Sequence, residues 1–97
     1  MRISEFQNMM RRIYLLRDAT RGAAETYNWL VEEVEELGEA LKESDNAVLE
    51  SELADVIAWL ASLANILDLD LEKAAVTKYD GRCPKCGEVP CECSPSK

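Results

Sequence analysis

Residues 27–41 read YNWLVEEVEELGEAL, a proline-free stretch in which apolar and acidic residues recur on a helical period. Tyr27, Leu30, Val34, Leu37 and Leu41 fall at the i, i+3, i+4, i+7 spacing of one helix face. At about 100° per residue, Glu33 stands about 70° from the centre of that stripe, and Glu36 about 130° away on the same side. Trp29 and Ala40 share this flank. The stretch therefore predicts an amphipathic helix, from about Ala23 to Glu43, with an acidic edge beside its apolar seam.

Working outward, Ser44-Asp45-Asn46 breaks this helix and offers caps for a third, about Ala47 to Leu67. Its stripe is Leu49, Leu53, Val56, Leu60, Leu63 and Leu67. Upstream, Ser4 is placed to cap a first helix running to Arg21, with Phe6, Met9, Met10, Ile13 and Leu16 on one face and Gly22 as its stop. Downstream, Asp68 or Asp70 caps a short fourth helix ending near Tyr79. The fold class is all-α: an antiparallel bundle of about four helices, because a short loop forces helices two and three to run antiparallel. Trp29, Trp59, Ile57 and Ile66 widen the apolar faces beyond what about 80 helical residues bury alone. Completion by oligomerisation, as a homodimer or homotetramer, is expected.

The chain divides at Asp80-Gly81. All three prolines and all four cysteines follow that point, so residues 1–80 form a helical domain and 81–97 a Cys-rich tail. With 97 residues, 47% apolar and 31% charged, one globular domain is the expectation. No apolar run is long enough for a membrane helix, and the N-terminus lacks a signal peptide's apolar stretch, which points to the cytoplasm. Net charge is −8 and unevenly spread: residues 25–55 hold eleven acids against Lys42 alone. Such a block repels nucleic-acid backbones and suits cations, or simply a solvated helix face. Histidine is absent, which removes Ser-His-Asp, Cys-His and His-ligated metal chemistry, including the Glu-x-x-His pairs of bundle di-iron sites.

Glu52-Leu53-Ala54-Asp55 supplies a second acidic pair on helix three, with Trp59 and Ser62 beside it. Antiparallel packing can bring Glu33, Glu36, Glu52 and Asp55 together along one edge of the seam. Carboxylates so crowded cannot all stay ionised without a counter-charge. Mg²⁺, with Mn²⁺ as an alternative, prefers oxygen ligands and typically shares its shell with substrate phosphates. The implied chemistry is metal-assisted phosphoryl transfer or hydrolysis. Glu35, Glu39 and Glu43 read as solvated surface, the ordinary role of glutamate on an acidic helix.

Glu32-Glu33-x-x-Glu36 followed by Glu52-x-x-Asp55 resembles the signature of the MazG-like nucleotide pyrophosphohydrolases, within the all-α nucleoside triphosphate pyrophosphatase superfamily. The flanks, Thr26-x-x-Trp29-Leu30 and Glu36-Leu37-x-Glu39-Ala40-Leu41, are similar too, and the likeness covers about residues 6–79. It implies hydrolysis of a nucleoside triphosphate between the α and β phosphates to the monophosphate and pyrophosphate, with housecleaning of aberrant nucleotides or phosphoribosyl-ATP hydrolysis as variants. Carried over by position, the family's Mg²⁺ ligands fall on Glu33, Glu36, Glu52 and Asp55, and Glu32 or Glu36 would hold the attacking water. Glu35 departs from the glycine that relatives often carry. Lys78 matches a basic position of the family. Arg17 and Arg21 could clamp phosphates, and Trp29 could stack on a base, each with surface or packing roles as the alternative. A non-catalytic helical dimer acting as an adaptor is the rival of a different class.

Cys83-Pro84-Lys85-Cys86-Gly87 is a zinc-knuckle text, and Cys91-Glu92-Cys93 completes a C-x2-C-x4-C-x-C set. Four thiolates can close one tetrahedral, structural Zn²⁺ site. Disulfides are the alternative, disfavoured in a cytoplasmic chain.

Overall fold

A single residue, Gly22, separates the first two helices in the computed structural model, which describes residues 1–95. These are α1 (Ile3–Arg21) and α2 (Ala23–Ala40); α3 (Asn46–Ile66) and α4 (Leu71–Lys78) follow. Gly22 adopts φ 87°, a left-handed conformation that a side chain would oppose. Its N–H donates to the Asp18 carbonyl at 2.9 Å, closing α1. Its own carbonyl accepts from the Thr26 N–H at 3.1 Å and the Thr26 hydroxyl at 2.7 Å, opening α2.

Both α1 and α2 pack along α3, touching each other little beyond the Gly22 corner, and α4 lies against α1. Gln7 near the start of α1 meets Asn65 near the end of α3, and Arg21 at the other end of α1 meets Trp59. Helices α1 and α3 are thus antiparallel. So are α2 and α3, since Trp29 stacks on Trp59 while Glu36 approaches Glu52. The all-α antiparallel arrangement agrees with the sequence reading. None of the described helices is long and apolar enough to cross a membrane.

Several boundaries differ from the sequence reading. Ser4 does not cap α1: the helix starts earlier, the Arg2 N–H donates to Glu5 Oε1 at 2.8 Å, and the Ser4 N–H donates to Glu72 of α4 at 3.1 Å. Helix α2 stops at Ala40, before the expected Glu43, and a turn through Lys42 and Glu43 leads to Ser44 at φ 56°. Asp45 does cap α3, accepting from Ala47 and Val48. For α4 the cap is Asp70, which accepts from the Lys73 N–H at 3.0 Å, while Asp68 takes the left-handed residue that ends α3.

Hydrophobic burial is thin. The buried apolar side chains among the described residues are Met10, Ala40, Ala61 and Ala64; Gln7, Asp18, Thr26, Ser62 and Asn65 are buried beside them. The polar ones act as pins. Gln7 Nε2 donates to Asn65 Oδ1 at 3.0 Å and to the Leu69 carbonyl at 2.8 Å, its Oε1 accepts from the Leu71 N–H at 2.9 Å, and Asn65 Nδ2 returns to the Gln7 carbonyl at 3.1 Å. One amide pair thereby ties the start of α1 to the end of α3 and the start of α4.

The apolar stripes expected to form the core are split. On α2 the seam towards α3 is Thr26, Leu30, Glu33, Leu37 and Ala40, whereas Tyr27 (56% exposed), Val34 and Leu41 face outward. On α3, Leu53 (56% exposed), Leu60 and Leu67 likewise turn outward, and on α1 so do Ile13 and Leu16. Each helix carries two adjacent apolar stripes, and periodicity centres on their sum. The radius of gyration, 15.7 Å, exceeds the roughly 13 Å of a compact domain of this length.

Gln7→Ala removes the side-chain partner of Asn65 Oδ1, the Leu69 carbonyl and the Leu71 N–H, while Asn65 Nδ2 keeps the main-chain carbonyl of residue 7. It is expected to cost about 1–3 kcal/mol, read as a lowered urea midpoint at unchanged m-value.

Candidate active site

The α2 seam position that a leucine would ordinarily fill is Glu33, and opposite it α3 presents Glu52. Both are half-buried, and with Glu36 their carboxylate oxygens lie within 4.8 Å of one another. Glu33 Oε2 and Glu52 Oε2 are shielded from solvent and have no hydrogen-bond partner among the described residues. Buried anionic oxygens without donors are costly. The Glu33 carboxyl is accordingly pushed up to about 7, first by burial, then by the close approach and charge of Glu36, with Asp55 and Glu52 adding to it. Glu52 is raised for the same leading reason, followed by the charges of Glu36 and Asp55.

Asp55, the fourth acid of the sequence reading, acts on this group electrostatically from its rim rather than joining the three-carboxylate cluster. It lines a recess of about 260 Å³ between α1 and α3 with Tyr14, Arg17, Asp18, Arg21 and Trp59. Glu32 lines the other side, an open groove of about 920 Å³ shared with Glu36, Glu39, Glu43 and Glu52. Lys42 is the one base on that groove and is paired with Glu39 at 3.2 Å. The acids thus sit between an acidic groove and a recess that carries two arginines.

Of those arginines, Arg17 carries no ion pair among the described residues, while Arg21 is committed. Arg21 pairs with the buried Asp18, donates from Nε to Thr26 Oγ1 at 2.9 Å, and lies 4.7 Å from the centre of the Trp59 ring. Trp59 in turn stacks on Trp29, with centroids 6.0 Å apart and planes 13° from parallel. The run Asp18–Arg21–Trp59–Trp29 links α1, α3 and α2 at the end of the bundle marked by Gly22. Trp59, not Trp29, lines the recess. Sequence reasoning singled out neither Asp18 nor Trp59 as a site residue. The available signal was Asp18 and Arg21 at i, i+3 just before Gly22.

Lys78 lies elsewhere, 5.9 Å from the Tyr79 ring and lining a shallow recess with Arg82, Cys83 and Lys85; neither recess beside the acids includes it. Asn65 is satisfied by Gln7 at the α4 end. Cys83, Cys86, Cys91 and Cys93 gather in the loop after α4 as free thiols. Cys86 is lowered to about 6 by backbone N–H groups of Glu88 and Glu92, and Cys93 is raised to about 12 by the neighbouring sulfurs, Cys91 foremost.

The sequence profile of the MazG nucleotide pyrophosphohydrolase domain matches residues 21–87, from the end of α1 into the cysteine loop. The chain belongs to that family. No curated protein matches it significantly. The family match contains α2 and α3 entire, and with them Glu32, Glu33, Glu36, Glu52 and Asp55. Arg17 lies just outside the matched stretch.

The raised Glu33 carboxyl makes a signed prediction. Its contribution to stability is complete below its ordinary 4.5 and is lost as pH rises through about 7. In chelator, Glu33→Gln should therefore be more stable than wild type near pH 8, with the gap narrowing towards about pH 5. Urea midpoints of both proteins at the two pH values check this.

Proposed function

We propose that this chain hydrolyses a nucleoside triphosphate between its α and β phosphates, releasing the monophosphate and pyrophosphate, with Mg²⁺ held by Glu33, Glu36 and Glu52 and by Asp55 at the rim. The observation that carries the reading is the pair of buried, unpartnered carboxylate oxygens, Glu33 Oε2 and Glu52 Oε2, inside the part of the chain that matches the family. Such a donor set fits a hard cation. Oxygen ligands alone, from acids that repel one another, are what Mg²⁺ or Mn²⁺ requires and what a transition metal of softer preference does not. When bound, the ion supplies Lewis-acid polarisation of the phosphate oxygens.

The chain's own groups do the rest. Glu32, exposed on the groove, or Glu36 accepts a proton from the attacking water. The water oxygen bonds to the α-phosphorus, the bond from that phosphorus to the bridging oxygen breaks, and pyrophosphate leaves with the bridge. Arg17, without an ion pair among the described residues and lining the recess with Asp55, neutralises phosphate oxygens in this reading. Arg21, held by Asp18 and Thr26, lies over the Trp59 ring and fixes that wall of the same recess.

The functional unit in this reading is at least a homodimer. On the helical wheel, Tyr27, Val31 and Val34 of α2 and Leu53, Ile57 and Leu60 of α3 lie on the flank away from Glu36 and Asp55. A two-helix layer with α1 on one face and such an apolar strip on the other buries that strip best against a second copy related by a two-fold axis. Val34→Glu with Leu53→Glu should convert the assembly to monomer, read by light scattering.

Incubation with ribo-, deoxy- and modified nucleoside triphosphates and with phosphoribosyl-ATP, in Mg²⁺, tests the reaction itself. Monophosphate and pyrophosphate should appear from at least one member, and Glu52→Gln should lower kcat/KM by about 10²-fold or more, as loss of a charge-stabilising group does. Release of diphosphate and inorganic phosphate instead would place attack at the γ-phosphorus and refute the reading.

A further inference from the structure

We propose that Cys83, Cys86, Cys91 and Cys93 form a closed four-sulfur Zn²⁺ site that organises the segment after α4 and takes no part in hydrolysis. The four sulfurs all lie within 4.8 Å of one another. Cys83 and Cys93 are 3.7 Å apart, and Cys86 and Cys91 4.0 Å apart. A Zn–S bond of about 2.3 Å places the corners of a tetrahedron about 3.8 Å apart, which these pairs match. A disulfide needs about 2.05 Å.

The loop is shaped for a metal rather than for burial. Gly87, directly after the second cysteine, takes φ 78°, and its N–H donates to the Cys83 carbonyl at 2.8 Å. The Cys83 N–H answers to the Glu88 carbonyl at 3.3 Å. Two backbone donors point at sulfur: the Glu92 N–H at Cys86 Sγ, 3.4 Å, and the Cys93 N–H at Cys91 Sγ, 3.3 Å. Such donors stabilise charge on thiolates. Burial does little to hold this segment in place. It contains no helix or strand, and between Gly81 and Pro95 only Cys83 and Cys93 are even partly buried. Ordering such a stretch without a core costs conformational entropy at every residue, and a cross-link offsets it.

The donor set selects the ion. Sulfur is soft, no histidine is available anywhere in the chain, and four thiolates fill every tetrahedral position. With no position left for water, the site is structural. Binding displaces the thiol protons that remain and leaves a net charge of −2 on the centre. Lys78, Arg82 and Lys85, against one acid, Asp80, line the adjoining recess and offset that charge. One chain thus sorts two cations by donor type: oxygen in the α2–α3 seam, sulfur beyond α4.

Elemental analysis of the full chain, purified without a histidine tag, should find about one zinc per chain, and none in Cys83→Ser/Cys93→Ser. Cobalt exchanged into the wild type should give the visible absorption of a tetrahedral tetrathiolate. Stripping zinc with a thiol-reactive mercurial should leave helical circular dichroism unchanged while opening Arg82 and Lys85 to trypsin. Zinc-free protein with four freely titrating thiols would overturn the proposal, as would a mass four hydrogens lower from two disulfides. Zinc retained in the double variant would overturn it equally.

Discussion

The rest of the structure depends on two glutamates occupying seam positions between packed helices. Glu33 and Glu52 stand where α2 and α3 would otherwise exchange leucines, and each keeps one oxygen shielded from water without a donor. Across a seam this narrow, like charges repel and desolvation penalises both. Such an arrangement persists only if the rest of the bundle holds the helices at their spacing, or if a cation enters. The chain does the first with Gly22, the Gln7–Asn65 pair and the Trp29–Trp59 stack. Its acids are arranged for the second.

This arrangement also accounts for the small buried core. Helix α3 carries α1 on one side and α2 on another, with alanines and a serine at the close approaches, Ala61, Ser62 and Ala64. Small residues bring backbones near enough for polar pins and stacked rings to fix register, but they bury little area. Bulky aliphatic residues lie on the opposite flank of α2 and α3, uncovered. The acids and the apolar strip therefore take opposite sides of one helical layer, so a second copy can cover the strip without closing the groove.

Much of this was legible in the sequence because helices write themselves plainly. Helix order, the Gly22 stop and the Asp45 cap follow from local chemistry, and the paired i, i+3 acids follow from spacing. What periodicity could not resolve is which of two adjacent apolar stripes faces the partner helix. The reading centred α2 on Val34, one residue from the true seam at Glu33, because a carboxylate in a seam contradicts the hydrophobic rule used to find seams. Trp29 was the candidate stacking residue on the strength of its place one turn before Glu33, yet its ring is spent on Trp59. Arg21 was a candidate phosphate clamp, but its guanidinium is engaged by Asp18, Thr26 and Trp59. Those contacts cross between helices, and no spacing along the chain announces them.

Anomalous diffraction from crystals soaked in Mn²⁺ tests the central claim most directly, since it locates an ion without reference to turnover. The account predicts a strong peak in the α2–α3 seam, about 2.1 Å from carboxylate oxygens of Glu33, Glu36 and Glu52, as a hard-cation site requires. A seam without a peak, its carboxylates turned to solvent or paired with protein donors, would contradict it.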